Sequence, residues 1–290
     1  MASATTPHRP DSGPGPDPGP DHDRGTGPGP DRDTGPGTTA TGRLGALARA
    51  ELVLLVRNRT ALFVTLLMPL LMIGSIRAGL DEVGLEGTGL TLVEAVVTGG
   101  LGMVLVIVVY MNLVPAYVAR REELVLKRLR TGEASDAEIL AGTALPSVAL
   151  TLAQCVIMVV ASVAFLGVRA PQRPELLVAG VLAGIALLGA LAAFTAALTR
   201  TVESAQLTTM PLFLVSALGS GLFVPLEAFP ERVEAVCALL PVTGVVTLVR
   251  AGWLGGADAG ELVRAATTTL AWAAVAVFAV RRRFRWEPRH

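Results

Sequence analysis

The side chains best suited to bind a partner lie in a block of charges, Arg120–Arg130. This block reads "RREELVLKRLR" and stands between two long apolar segments. It combines five basic side chains with the two carboxylates Glu122 and Glu123. Basic residues alone would anchor a loop at anionic lipid, and the two carboxylates weaken that attraction. Mixed signs suit a partner protein whose own surface is mixed. The block therefore favours docking of a protein over anchoring to lipid.

The patterns of enzymes and nucleotide-binding proteins are missing from the chain. It contains no GxxxxGK[ST] phosphate loop, and its sole lysine, Lys127, has no glycine before it. The two cysteines, Cys155 and Cys237, lack a framework spacing and are predicted to be free thiols. The three histidines all lie in the terminal tails, at His8, His22 and His290. We therefore expect no enzymatic activity, no cofactor and no metal.

A carboxylate for proton-driven transport is not expected either. Glu94 lies 26 residues before Arg120, which is about 39 Å along a helix at about 1.5 Å per residue. That distance exceeds a hydrocarbon core of about 30 Å, so Glu94 is predicted at the outer interface of a membrane. Energy for uphill transport would then come from another chain.

The elements that must position the charged block are membrane helices. Apolar residues make up 52% of the chain, charged residues 17%, and the mean hydropathy is +0.58. Several nearly uncharged windows have the length of about twenty residues that crosses a bilayer. The fold class predicted is therefore an all-α membrane protein with six spans, at Ala61–Gly79, Leu92–Pro115, Ile139–Gly167, Leu176–Thr199, Ala205–Val224 and Leu262–Val280.

Lys and Arg residues predict the orientation of these spans. Outside the N-terminal tail, 15 of them fall on one side of the membrane and 6 on the other. The richer side is cytoplasmic by the positive-inside rule. We expect a multi-pass plasma-membrane protein with both termini, and the charged block, in the cytoplasm. Residues 1–42, rich in Pro, Gly and Asp, are predicted to be a disordered tail. Residues 286–290 form a short cytoplasmic tail, and no nucleic-acid partner is expected.

Two segments have the pattern of helices that lie on the membrane. In Arg43–Arg59, leucines share one side of a helix and arginines the other. Glu51 interrupts the apolar side, and it either pairs with a nearby arginine or contacts a partner. In Phe229–Pro241 an apolar stripe has helical spacing between two prolines, and the segment is too short to cross. This second helix is either a plain surface helix or a lid over an exit path.

Three stretches, in this order within six spans, resemble the membrane subunit of an ABC-2 type transporter, in the branch of daunorubicin-resistance-type permeases. The stretch "ARAELVLLVRNRTALFVTLLMPLLM" resembles the connecting helix and first span of that family. The stretch "RREELVLKRLR" resembles the family's coupling helix. The stretch "FVPLEAFPERVEAVCALLPVTGVVTLVRAGW" resembles its external re-entrant segment. The resemblance covers most of residues 44–285, and the transmembrane domain is taken as 43–285.

The resemblance implies a half-transporter that exports a lipophilic or amphiphilic substrate such as a drug or antibiotic. Two copies would form the pore, and separate ATPase subunits would drive it. It assigns ATPase docking to Arg121, Glu122, Glu123, Lys127 and Arg128, with Glu51 and Arg57 as neighbours. We expect the substrate path at Thr208, Thr209, Met210, Pro211 and Phe213, for which plain helix packing is the alternative. We expect the external gate at Phe229, Val233, Val236 and Leu240.

Two other classes of function stay open on the sequence. A proton-coupled or facilitative carrier would transport in cells that lack the ATPase. A non-transporting membrane scaffold would give no cargo-dependent ATP hydrolysis.

Overall fold

The computed structural model describes residues 92–122, 136–223, 226 and 229–283. Throughout these ranges the regular secondary structure is helical, as predicted. A π-helical segment, Leu105–Met111, joins the first two helices into one continuous rod. The α-helices are α1 (Leu92–Val104), α2 (Asn112–Glu122), α3 (Asp136–Leu166), α4 (Pro174–Leu198), α5 (Val202–Gly219), α6 (Glu231–Cys237), α7 (Thr243–Leu254) and α8 (Ala259–Arg283).

Within the described residues, four helices are long and apolar enough to cross a membrane. They correspond to the second, third, fourth and sixth predicted spans, with bounds Val93–Glu122, Glu138–Leu166, Pro174–Leu198 and Ala259–Arg282. The fifth predicted span, Ala205–Val224, overlaps α5, which begins three residues earlier among polar residues, at Val202, and ends at Gly219. The predicted first span, the Arg43–Arg59 helix and both tails lie outside the described residues. The all-helical class is confirmed, whereas the count of six spans stays a prediction.

Helix α4 lies at the centre of the bundle and packs against α2, the π-helical segment, α7 and α8. Its small residues permit this crowding. A Cβ added at Gly180 would lie 3.1 Å from the backbone nitrogen of Val249 in α7, and one at Gly184 would lie 2.7 Å from a methyl of Val245. Close approach of helices at small residues is the usual way that membrane helices gain van der Waals contact.

Helices α6 and α7 form a pair that enters the bundle and leaves it at the same end. The turn between them lies against α8, where Trp272 Nε1 donates to the carbonyl oxygen of Leu239 at 2.8 Å. Trp272 is 13 residues into α8, about 20 Å from its start. Helix α7 then returns and ends at Gly255, whose φ of 69° favours glycine. This is the re-entrant segment that the sequence predicted.

The apolar helix α7 itself was not predicted as a separate element. It is 12 residues long, too short to cross a membrane, and most of its side chains are buried. Pro241 before it and Gly255 after it mark its limits in the sequence. Its burial explains why a short helix is stable there, because tertiary packing rather than length supplies the stability.

Candidate functional site

Arg121 lies at the C-terminal end of α2 and is 3% exposed. Its guanidinium reaches the end of α4, where Nη1 donates to the carbonyl oxygen of Ala196 at 3.0 Å. Nη2 donates to the carbonyl oxygens of Thr199 at 2.6 Å and Arg200 at 3.1 Å. The last carbonyls of a helix lack intrahelical partners and carry its negative dipole end. A buried cation therefore ties α2 to α4 through groups that need both hydrogen bonds and positive charge.

Glu122, the next residue, makes the complementary contact with α5. Its Oε1 accepts a hydrogen bond from the backbone N–H of Val202, the first residue of α5, at 3.2 Å. A carboxylate at the N-terminus of a helix has the favourable sign for the dipole. Glu122 is exposed, so we expect this contact to be weaker than those of Arg121. We call Arg121, Glu122 and the α4–α5 turn, residues 199–201, the Arg121–Glu122 clasp.

Side-chain hydroxyls reinforce the turn that the clasp holds. Thr199 Oγ1 donates to the carbonyl oxygen of Thr195 at 2.8 Å and lies 2.8 Å from Thr208 Oγ1 of α5. Thr201 caps α5, since its hydroxyl accepts from the N–H of Ser204 at 3.3 Å while Ser204 Oγ accepts from the N–H of Thr201 at 3.1 Å. Hydrogen bonds from its own backbone and from Thr201 lower the pKa of Glu203. The turn is thus ordered by local bonds on both sides.

Two tyrosines connect the α1–α2 rod to its neighbours near the clasp. The hydroxyl of Tyr110, in the π-helical segment, lies 3.0 Å from Thr195 Oγ1 of α4. The hydroxyl of Tyr117 donates to the carbonyl oxygen of Leu140, near the start of α3, at 3.3 Å. A movement of this rod should therefore displace α3, α4 and α5 together, because the rod has hydrogen bonds to all three.

The residues predicted to line a substrate path do not share one face of α5. Thr209 is buried and donates to the carbonyl oxygen of Gln206 at 2.8 Å, and Thr208 belongs to the hydroxyl contacts of the clasp. Phe213 is half-buried and packs against the core. Met210 and Pro211 are exposed. Thr208, Thr209 and Phe213 thus have contacts within their own chain, and the assignment of the five residues to a substrate path stays a prediction.

A different face of α5 is exposed and apolar. Its members follow helical spacing of i, i+3, i+4, i+7 and i+11, and they are Leu207, Met210, Pro211, Leu214 and Leu218. In the sequence this face is visible as leucines at helical spacing, beside the hydroxyl residues Thr208 and Thr209. We call this set the α5 face.

The residues predicted to form a gate lie on α6 and on either side of it: Phe229 precedes the helix, Val233 and Val236 are on it, and Leu240 follows it. Val233 and Val236 are exposed, the latter at 64%. Phe229 and Leu240 are half-buried, and the Leu240 side chain packs beside Gly219 at the end of α5. Val233 and Val236 therefore face away from their own chain, whereas Leu240 packs within it. Cys237, next to it, is a free, half-buried thiol, and Cys155 is free and buried.

Acidic and metal-binding residues are dispersed in the described part of the chain, which has no group of three or more His, Cys, Asp or Glu that could hold a metal ion.

Comparison with protein families identifies the chain's relatives. The family model described as "ABC-2 type transporter" matches residues 43–254, most of the chain. The chain belongs to the ABC-2 type transporter family. It is thus a multi-pass permease subunit of an ABC transporter, and membership implies that it works in a membrane with an ATPase subunit. A search of curated proteins finds no match. The matched region ends with α7, and α8 follows it.

In this ABC-2 permease the structure describes two of the predicted docking residues, Arg121 and Glu122. Arg121 is buried against the carbonyls of its own chain, so in this conformation its side chain is not available to a partner. Its docking role stays a prediction, and the contacts that the structure shows for it are internal ones. Glu122 is exposed and stays a docking proposal. The remaining predicted docking residues lie outside the described residues, namely Glu51, Arg57, Glu123, Lys127 and Arg128.

Proposed function

We propose that this ABC-2 permease is the membrane half of an exporter whose separate ATPase docks on the segment that follows α2. Two copies would form the substrate path, and the cargo would be lipophilic or amphiphilic, of the class to which drugs and antibiotics belong. The observation that carries the proposal is the Arg121–Glu122 clasp. The buried hydrogen bonds of Arg121 and the exposed one of Glu122 both lie directly before the proposed docking segment.

The clasp supports a mechanical route from the ATPase to the membrane. A force on residues after Glu122 acts first on the end of α2. Arg121 passes it to the end of α4, and Glu122 passes it to the start of α5. Hydrogen bonds to a charged group are among the strongest in proteins. Movement of the docking segment should therefore displace α4 and α5 together rather than bend α2 alone.

The α1–α2 rod has a region where such movement can be absorbed. Its π-helical segment, Leu105–Met111, departs from regular α-helical bonding, and Pro115 within α2 lacks an N–H to donate. Both features are typical of kinks and functional sites in helices. A bend there would let the lower part of the rod swing with the clasp while α1 keeps its packing.

The α5 face supports the placement of the substrate path between two copies. A continuous apolar helix face in a membrane protein must meet lipid, cargo or another protein. In the proposed dimer the two α5 faces would oppose each other, and the re-entrant α6–α7 pair would cover the outer end. An apolar lining suits a lipophilic cargo.

Dye efflux tests this function. Cells would express the chain with its ATPase, and retention of a lipophilic fluorescent dye would be followed over time. We expect efflux with both subunits, and loss of efflux when the ATPase carries a substituted Walker-motif lysine. The matched control is the chain with Glu261→Gln, a conservative change at the opposite end of the bundle, which should export normally.

The two competing functions give different results in the same assay. A proton-coupled or facilitative carrier would export the dye in cells without the ATPase and would be stopped by dissipating the proton gradient. A scaffold would leave dye retention unchanged in every combination, and the purified complex would hydrolyse ATP at one rate with and without dye. Either result would reject the proposed exporter.

A further inference from the structure

Helices α3 and α4 are consecutive in the chain but diverge from each other. Helix α3 packs mainly on the α1–α2 rod, whereas α4 packs mainly on α7 and α8. The divergence leaves a groove of about 380 Å³ between them, within the range of small-molecule pockets. Its walls are apolar side chains, with Leu101 of α1 and Cys155 of α3 at its base.

Two parallel rows of side chains define the length of this α3–α4 groove. The three side chains of each row have i, i+4 and i+8 spacing, so a row rises over eight residue steps and is about 12 Å long. Half of a hydrocarbon core about 30 Å thick is about 15 Å. The groove therefore has nearly the depth of a single leaflet. The rows are Leu152, Val156 and Val160 on α3, and Pro174, Val178 and Leu182 on α4.

The outer rims of both rows are exposed, with Val156 at 61% and Val178 at 56%. These rims lie on two helices that can cross a membrane, so the groove opens towards the bilayer rather than towards water. The solvent of that region is hydrocarbon, and an extended acyl chain has the shape and chemistry of the groove.

The end of the groove is a short loop that carries positive charge. Pro171 and Pro174 line the groove there, and Arg169 and Arg173 lie in the same loop. Two backbone hydrogen bonds fix the loop to the end of α7, from the N–H of Gln172 to the carbonyl of Trp253 at 3.1 Å and from the N–H of Arg173 to the carbonyl of Gly252 at 2.9 Å.

The charges of this loop match a phosphate group. Arg169 is exposed, and Arg173 Nε is 3.4 Å from the exposed carboxylate of Glu175, an ion pair that solvent screens. Guanidinium groups bind phosphate oxygens through paired N–H donors. A phosphate at the membrane interface, with its acyl chain below, would meet both features of the site at once.

We propose that the α3–α4 groove holds one acyl chain of an anionic phospholipid, whose phosphate is bound by Arg169 and Arg173. The lipid belongs to the leaflet that meets the α3–α4 loop, and it is a resident of the protein rather than its cargo. It fills the space that the divergence of α3 and α4 leaves, and so supports their separation. The site is independent of the direction of transport.

Native mass spectrometry of the full-length protein tests the site. The protein would be reconstituted in bilayers of phosphatidylglycerol and phosphatidylcholine in equal amounts, and then released with its retained lipids. We expect the wild type to retain phosphatidylglycerol. Val156→Trp and, separately, Val160→Trp fill the groove and should each lose most of it. The matched control is Val275→Trp, at a residue of α8 that is similarly exposed but does not line the groove.

Charge selection is measured with a second variant in the same bilayers. Arg169→Gln combined with Arg173→Gln should lower the ratio of phosphatidylglycerol to phosphatidylcholine without abolishing lipid retention. Three outcomes would overturn the proposal. They are equal retention in the groove and control variants, an unchanged lipid ratio in the arginine variant, and a change of oligomeric state without lipid loss in Val156→Trp. The last would mean that another protein surface covers the groove.

Discussion

Arg121 illustrates how a charged side chain can be structural in a transport protein. Burial of a cation is costly unless hydrogen bonds and opposite charge compensate it. Arg121 obtains both from three carbonyl oxygens at the end of α4. Its planar guanidinium can donate in several directions at once, which the ammonium of lysine cannot do at the same reach. The identity of this residue therefore matters beyond its charge.

Replacement of Arg121 by methionine tests that argument. Met has a similar stem but no donors, so the carbonyls of Ala196 and Thr199 lose their partner. We expect the free energy of unfolding to fall by about 1–3 kcal/mol, the typical cost of leaving buried polar groups unpaired. Thermal unfolding of the purified protein in detergent measures the change.

The control for this substitution is Arg264→Met, at an exposed residue of α8. It should leave the unfolding midpoint nearly unchanged. Arg121→Lys should fall between the two. An Arg121→Met protein that melts with the wild type would show that the contacts to α4 add no stability.

At the scale of elements, the packing of α7 depends on the absence of side chains. A Cβ at Gly252 would collide with the backbone of Leu177, at the start of α4. This contact lies next to the backbone bonds that hold the α3–α4 loop. The re-entrant pair is thus anchored to α4 by glycine and by main-chain hydrogen bonds.

Gly252→Ala should therefore displace α7 from α4. We expect a loss of about 1–3 kcal/mol in the free energy of unfolding, as for other overpacked cores. Gly189→Ala is the matched control, because among the described residues no heavy atom outside its own helix turn lies within 4 Å of the new Cβ. That change should be neutral or stabilise by up to about 1 kcal/mol. Equal midpoints for the two variants would contradict this view of the α7 contact.

Helix α6 allows the gate hypothesis to be tested without disturbing the core. Val236 is exposed within its own chain, so Val236→Asp should fold normally. If the stripe faces a second copy at the outer end of the path, an added carboxylate there will be desolvated and unfavourable. We expect dye efflux to fall while the ATPase remains bound. Glu231→Gln, on the polar side of the same helix, should export normally, and normal export by both variants would place the gate elsewhere.

The sequence predicted the long helices well but did not predict the short, buried helix α7, for a physical reason. Helices α3, α4 and α8 are each longer than a bilayer crossing requires, so hydropathy alone identifies them. Helix α7 is too short for that signal, and its stability comes from burial that a sequence window does not contain. The internal contacts of Arg121 were not predicted for a similar reason. Its partners are carbonyls 75 to 79 residues away, which have no side-chain signature.

At the scale of the whole molecule, the clasp and the re-entrant pair lie at opposite ends of the same helices. Helix α4 begins beside the end of α7 and finishes in the clasp. Its 25 residues cover about 37 Å, more than a hydrocarbon core. A partner that displaces the clasp would thus move the far end of α4 as well, because one rigid, central helix joins the two ends.

The orientation of the molecule is a prediction that can be checked directly. The split of 15 to 6 basic residues predicts that both termini are cytoplasmic. Fusion of a reporter after Trp286 should therefore give activity with a reporter that works only inside the cell. A fusion to the α3–α4 loop, at Ala170, should give activity only with a reporter that works outside. Reversal of these two results would invert the proposed direction of coupling.

The central claim is that a separate ATPase docks on the segment that follows α2. The most direct measurement is recovery of the ATPase with the tagged chain, compared between wild type and the double variant Glu122→Lys/Glu123→Lys. Reversed charges should oppose a complementary partner surface. The control is Glu231→Lys, a reversal at the other end of the bundle, with thermal unfolding to show that every variant folds. We predict that recovery of the ATPase falls strongly in the double variant alone. Unchanged recovery would contradict the account and would leave this segment as a lipid anchor.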